Sequence, residues 1–346
     1  MSRKFVDRAV LLQSSEELCE VASIPSIFGN NLRNIKTRLC SQDYTERMSG
    51  TSSFLGSFMN RYDKAHLRVL FELAKGSNEY FEANESFYRD HFVHAIDVFL
   101  LGNYFILKDK KLRDESRKMV EATAWAYNLP YTWMLLWGLT ALFHDLAYLF
   151  QKIRSILPIR AEIDTATDPE LAFWDEFLKS LSVREREFVG SKMAELDHGV
   201  LSGMWLLKEV RRHYYDSDDE RKMLFSKRFF PVGRAICLHN VDNQHPNVSF
   251  DISDNFLGFL LVLCDELHEQ DRIQGKFYSC DMIVDETLLE SNEIDVELVY
   301  HDDLEANDFR NMCVRKFDKL QRLRGHKASI KLTAEKLCKS ETITLL

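Results

Sequence analysis

Apolar residues recur at helical spacing through most of this chain, and the alternation expected of strands is rare. Six prolines and thirteen glycines interrupt the pattern. The periodicity predicts helices near 62–75, 83–108, 114–128, 131–154, 168–180, 183–213, 218–240 and 253–273, with a break expected at Pro231. Thr167-Asp168-Pro169 reads as a helix entry. Ahead of these, residues 1–60 read as an accessory region. It holds a short helix from Ser14 to Val21 and a flexible stretch rich in serine and glycine from Met48 to Ser57. No fixed-period repeat is present.

The pattern changes after Gly275. MIVDETLLESNEIDVELVY (282–300) has the alternation of a β-hairpin. A helix is expected from about 303 to 323, followed by the strand-like KASIKLTA. The chain therefore divides into an N-terminal region (1–60), an all-α helical domain (61–275) and a small α+β appendage (276–346).

Composition narrows the class. The 346 residues are 45% apolar and 29% charged, which suits a globular protein with a large core. No apolar run reaches the roughly 18–20 residues that span a bilayer. The opening MSRKFVDRAV lacks a signal-peptide core, so a cytoplasmic location and no membrane partner are expected. A net charge of -9 argues against a broadly basic nucleic-acid surface. It leaves room for an anionic substrate, because bound divalent ions reverse the local field. The seven cysteines (19, 40, 237, 264, 280, 313 and 338) are scattered singly with no CxxC pair, so reduced, mostly buried thiols are expected.

The candidate chemistry lies in polar residues set within apolar helices. His144-Asp145 follows WMLLWGLTALF, a context in which both side chains are costly to bury unless satisfied. A capping or hydrogen-bonded pair would account for that dipeptide alone. His94 lies among Val93, Ile96, Val98 and Leu101. His198 starts HGVLSGMWLL, His239 ends AICLH, and Asp265 ends the apolar run FLGFLLVLC. Each alone is more often a satisfied core residue than a ligand. Five helices offering histidine or aspartate from apolar surroundings point to metal, and imidazole plus carboxylate suits manganese, iron, zinc, cobalt or nickel.

In that order, His94, His144-Asp145, His198, His239 and Asp265 resemble the metal ligands of the HD-domain superfamily of phosphohydrolases. HAIDV, GLTALFHDLAY and LVLCDELHEQDR carry the resemblance, which covers about residues 80–275. It implies an HD-type helical bundle. His94, His144, Asp145 and Asp265 would bind one ion, and His198 and His239 a second, with Asp145 bridging two divalent transition metals. It also implies a small phosphorylated substrate, a nucleotide or cyclic nucleotide, attacked by metal-activated water. A homo-oligomer is left open. There is no GYP motif after the core, so the HD-GYP class is not indicated.

One position departs from the family. Many members place a phosphate-binding lysine three residues after the aspartate, and here that residue is Tyr148. Lys152, two turns beyond Asp145, is the candidate substitute, and Arg272, two turns beyond Asp265, a second candidate phosphate contact. Arg89, His91 and Glu269 are further candidates with equally good structural explanations. Asp197 is expected to cap the helix that follows it. His245 and His268, with polar neighbours, are not expected to be ligands. The same ligand order occurs in di-iron oxygenases of this superfamily, and a non-enzymatic nucleotide sensor is the third alternative.

Overall fold

The computed structural model describes residues 3–21, 26, 32–41, 43–61, 91–123, 129–148, 168–214, 219–268, 272–273, 276–277 and 280–345. The chain opens with strand β1 (Arg3–Phe5), then helices α1 (Arg8–Val21), α2 (Leu32–Leu39) and α3 (Tyr44–Arg61). Next come α4 (His91–Lys108), α5 (Lys110–Ala122) and α6 (Leu129–Phe143). After these follow α7 (Asp168–Ser180), α8 (Val183–Ala194), α9 (His198–Tyr214) and α10 (Asp219–Leu238). Strand β2 (Phe250–Asp251) leads into α11 (Phe256–His268), and β3 (Arg272–Ile273) pairs antiparallel with β4 (Lys276–Phe277). The last part is β5 (Cys280–Asp285), α12 (Glu286–Glu290), β6 (Glu293–Tyr300), α13 (Ala306–Leu320), β7 (Leu323–Arg324), β8 (Lys327–Ala334) and β9 (Lys339–Leu345). The protein is mostly helical with a small sheet towards its C-terminus. No helix among the described residues is long and apolar enough to cross a membrane.

Three helices are apolar nearly all round and therefore lie inside. Residues 93–106 of α4, 132–141 of α6 and 256–267 of α11 are buried throughout. Outer helices carry their own start signals. Asp109 caps α5 by accepting the Leu112 N–H at 2.9 Å. Ser182 and Glu185 form a reciprocal capping box at the start of α8.

The structure corrects several expectations. Residues 48–57 lie within α3, where Phe54 and Phe58 pack on the Phe99 ring with centroids 5.6 and 5.9 Å away. Burial of these aromatics outweighs the weak helix propensity of the serines and glycines around them. The helix expected over 183–213 is two helices. Leu196 takes a left-handed φ of 56° between them, and Asp197 restarts the chain as a cap. Helix α10 runs through Pro231 without a break. The hydrogen bond lost at the proline is outweighed by the packing of Phe229, Phe230 and Val232, all buried. Helix α11 ends at His268 instead of reaching 273, so Arg272 stands on a strand and not two helical turns beyond Asp265. The expected helix 62–75 lies outside the described residues.

Residues 282–300 do form an antiparallel strand pair, β5 with β6, joined by α12 instead of a tight turn. The five-stranded sheet has the order β1-β5-β6-β8-β9. Its β6 and β8 are parallel, and α13 forms the crossover between them. Strand β1 pairs with β5, so the first residues of the chain form one edge of the C-terminal sheet. The main hydrophobic core among the described residues draws on positions from Val6 to Leu345.

Candidate metal centre

Six side chains from five separate places in the sequence meet at one end of the central helices. His94 stands in the first turn of α4, and Asp265 near the end of α11. His144 and Asp145 follow the last residue of α6, His198 opens α9, and His239 follows the last residue of α10. All six are buried.

Three carboxylate oxygens face imidazole nitrogens, and His144 Nε2 lies between two of them. Asp265 Oδ1 lies 2.8 Å from His94 Nε2 and 3.7 Å from His144 Nε2. Asp145 Oδ2 lies 3.5 Å from His144 Nε2. Its other oxygen, Oδ1, lies 3.2 Å from His198 Nε2 and 3.6 Å from His239 Nε2. Donors on one transition metal with bonds near 2.0–2.1 Å stand roughly 3.0–3.4 Å apart, and the spacings here bracket that range. The ligand atoms of His94, His144 and Asp265, and those of His144, Asp145 and His239, each fall within 4.8 Å of one another.

The backbone fixes which nitrogen of two rings faces the centre. His144 Nδ1 donates to Ala141 O at 2.8 Å, and His239 Nδ1 donates to Ile236 O at 2.7 Å. The same device serves both: a histidine just past a helix end bonds back to the carbonyl three residues earlier. A carbonyl can only accept, so Nδ1 carries the proton and Nε2 is the nitrogen turned inward. His144 Nε2 is fully buried without a hydrogen-bond partner among the described residues, its nearest carboxylate oxygens standing at long range. A divalent cation satisfies imidazole lone pairs and carboxylate charge together, whereas a proton serves one nitrogen at a time. The donor set fits transition metal.

The electrostatics follow from burial and proximity. Burial opposes a charge on His144, but Asp145 and Asp265 outweigh it and raise its pKa. Burial lowers the pKa of His239, and His144 and His198 push the same way. Asp265 is held well below the usual carboxylate range; burial works against this, but His144 and His94 prevail.

Surrounding contacts hold the candidate ligands in place. Asp197 Oδ1 accepts from the Gly199 and Val200 N–H groups at 2.9 and 3.2 Å, capping α9 as expected, while its Oδ2 accepts from Asn240 Nδ2 at 2.7 Å. One aspartate thus ties the start of the His198 helix to the residue after His239. Gly199 packs against His239: a Cβ there would stand 2.9 Å from its Cε1 and 3.0 Å from its Nδ1. Ser202 Oγ accepts the Ala147 N–H at 2.8 Å, steadying the turn that carries His144 and Asp145.

Tyr148 stacks edge-on against His198 with ring centroids 5.1 Å apart, so this position holds a side chain packed on a candidate ligand. Lys152, Arg89 and Glu269 lie outside the described residues, as do the side chains of His91 and Arg272. His268, not expected to be a ligand, is in neither candidate metal group, but its ring stands beside the site, with its centroid 5.9 Å from that of His94 and its Nε2 3.7 Å from Asp97 Oδ2. Its polar sequence neighbours hid this, and its place at the end of the same helix as Asp265, one turn on, was the available signal. His245 lies away from the six, bonded to Ser191 and Asp242.

Comparison with known protein families, curated proteins and solved structures found no match to this chain. What stands is a mostly helical protein with buried histidine and aspartate clusters that could bind metal, compatible with an HD-type site.

Proposed function

We propose that this chain is a dinuclear HD-type phosphohydrolase that cleaves a phosphoester bond of a nucleotide or cyclic nucleotide. The observation that carries the reading is the division of Asp145. Its Oδ2 faces His144, and its Oδ1 faces His198 and His239. A carboxylate placed this way suits a bridge between two cations. His94, His144 and Asp265 would complete one position, and His198 and His239 the other. The substrate class rests on the resemblance of the ordered His, His-Asp, His, His, Asp pattern to that superfamily.

Two divalent transition metals bound there supply Lewis-acid activation of a water and take up charge on phosphoryl oxygens. The protein's own part is orientation and exclusion. Ala141 O and Ile236 O hold two imidazoles with Nε2 inward. Burial of all six side chains keeps bulk water from competing for them and strengthens each charge interaction. Asp265 remains ionised because His144 and His94 hold its pKa down.

The test is a metal-and-substrate panel. Protein stripped with chelator is reloaded with manganese, iron, cobalt, nickel or zinc. It is then assayed for phosphate or phosphomonoester release from nucleoside mono- and triphosphates, cyclic nucleotides and a generic phosphodiester. Turnover with at least one metal, lost in Asp145→Ala, is the expected result. Two bound metals with no hydrolysis across the panel overturns the phosphohydrolase reading.

A further inference from the structure

A second group of chemistry-bearing side chains lies away from the metal centre, where α8 meets the connection from α10 to β2. Ser191 stands in the last turn of α8, and Asp242 and His245 stand in that connection. His245 Nε2 lies 3.1 Å from Ser191 Oγ, and His245 Nδ1 lies 3.1 Å from Asp242 Oδ1. Serine, histidine and aspartate are therefore joined in series through the two nitrogens of one ring. None of the six candidate metal ligands belongs to this series.

The direction of the protons follows from the partners. Burial opposes a charge on Asp242, but Lys192 and His245 outweigh it and lower its pKa, so it is a carboxylate. A carboxylate only accepts, so His245 Nδ1 carries a hydrogen and Nε2 presents its lone pair to the Ser191 hydroxyl. That hydroxyl has a second acceptor, Phe188 O at 2.9 Å, the back-bond open to serines within helices. Of the two acceptors only the imidazole is basic enough to take the proton away.

The ring is held from several sides. Phe188 meets it edge-on with centroids 5.0 Å apart. Asp242 Oδ1 also accepts the Gln244 N–H at 3.1 Å, and its Oδ2 lies 2.7 Å from the Lys192 ammonium. Arg322, buried and far along the chain, donates to Asp242 O at 2.7 Å and to His245 O at 2.8 Å, which fixes the backbone of the turn. Ser191 itself is exposed, so a reagent can reach it from solvent.

We propose that Ser191 is a nucleophilic serine, acylated by activated carboxylic esters, with His245 as its general base and Asp242 as the residue that positions the ring. The serine oxygen bonds to the ester carbonyl carbon as its proton passes to His245 Nε2. The bond to the leaving oxygen then breaks, and that oxygen departs with the electron pair while His245 gives up the proton. Water reverses the step: it yields a proton to His245 Nε2, its oxygen attacks the acyl carbon, and the serine oxygen leaves and recovers the proton. Backbone N–H groups around Ser191 are committed to bonds within α8 and form no oxyanion hole. The site therefore suits a donor with a good leaving group, such as an aryl ester, and not an amide. The proposal rests on this geometry and is independent of the metal-centre reading.

The experiment treats the full chain with p-nitrophenyl acetate, in chelator so that bound metal contributes nothing. Samples are quenched in acid over time, and peptide mass spectrometry follows acetylation at each serine. Ser53 is the internal reference: an exposed helical serine that donates to Ser49 O at 2.8 Å and has no imidazole partner among the described residues. Ser191 should be acetylated at least tenfold faster than Ser53. A general base contributes about 10²–10⁴-fold, so His245→Gln should slow Ser191 at least tenfold and leave Ser53 unchanged. The comparison of the two serines is made within one folded chain, so it stands whether or not the variant folds. A ratio below tenfold in the wild type, or a loss below tenfold in folded His245→Gln, overturns the proposal.

Discussion

His94 Nε2 lies 2.8 Å from Asp265 Oδ1, although 171 residues separate them in the chain. The contact joins the first turn of α4 to the last turns of α11, two helices buried along most of their length. It sets one side of the candidate metal centre, and Asp145 sets the other.

Asp145 touches both halves of that centre. Asp145→Ala should reduce bound transition metal from two per chain to one or fewer and abolish any metal-dependent hydrolysis. Plasma mass spectrometry of purified protein measures the first effect. Removing even an outer partner of a metal ligand costs about 10–100-fold in affinity or activity, so a loss smaller than tenfold would argue that Asp145 bridges nothing.

Gly199→Ala tests the packing behind His239. The new Cβ would fall about 3 Å from the imidazole and 3.1 Å from Ile236 O, the carbonyl that orients the ring. The ring must shift, and its Nδ1 bond with it. Overpacking of this kind costs about 1–3 kcal/mol. The expected signature is selective: weaker binding of one metal of the two, seen as a split titration curve, with the helical circular dichroism unchanged. Unaltered affinity for both metals would show that His239 is not held by this contact.

Asp197→Ala removes the cap of α9 and leaves Asn240 without its acceptor. Loss of a cap is worth about 1 kcal/mol, and the orphaned amide adds a comparable amount. Urea unfolding should register about 1–2 kcal/mol of destabilisation. Asp197→Asn retains a capping oxygen and should recover part of it, whereas a loss equal to that of the alanine variant would assign the effect to charge alone.

Arg8 gives a pH-dependent prediction. Its guanidinium grips the buried Asp97 carboxylate through two bonds, Nε to Oδ1 at 2.6 Å and Nη2 to Oδ2. It also donates to Leu39 O at 2.8 Å, tying α1, α2 and α4 together. Burial alone would raise the Asp97 pKa, but Arg8 outweighs it and the pKa is lowered. A carboxylate with a depressed folded pKa stabilises the protein above its unfolded value, near 3.9, and loses that contribution as pH falls through the folded value. Arg8→Ala should therefore cost about 3–5 kcal/mol at pH 7, the usual result of stranding a buried charge. The gap from wild type should be full at pH 7 and begin to narrow while the pH is still above the unfolded carboxylate value, because Asp97 without Arg8 has its pKa pushed up by burial and takes up a proton sooner, which relieves the stranded charge. Denaturant unfolding at pH 7, 5 and 3.5 measures it, and a gap independent of pH would assign the loss to packing.

The sequence alone determined the helical class, the apolar helices that form the interior and the short list of polar residues those helices carry. These are local properties: burial of one helix face imposes a 3.6-residue period, and a histidine or aspartate stands out against it. The strand pair after Gly275 and the cap at Asp197 were legible for the same reason. Tertiary structure decided what depends on distant neighbours. Phe99 makes α3 a helix where serines and glycines read as flexible, and packing carries α10 through Pro231. Pairing with β5 puts the start of the chain on the C-terminal sheet. The proximity of His94 to Asp265, the facing of each Asp145 oxygen and the inward turn of His144 and His239 arise only when five helix ends are packed together. Periodicity says which face of a helix is buried, but not what it is buried against.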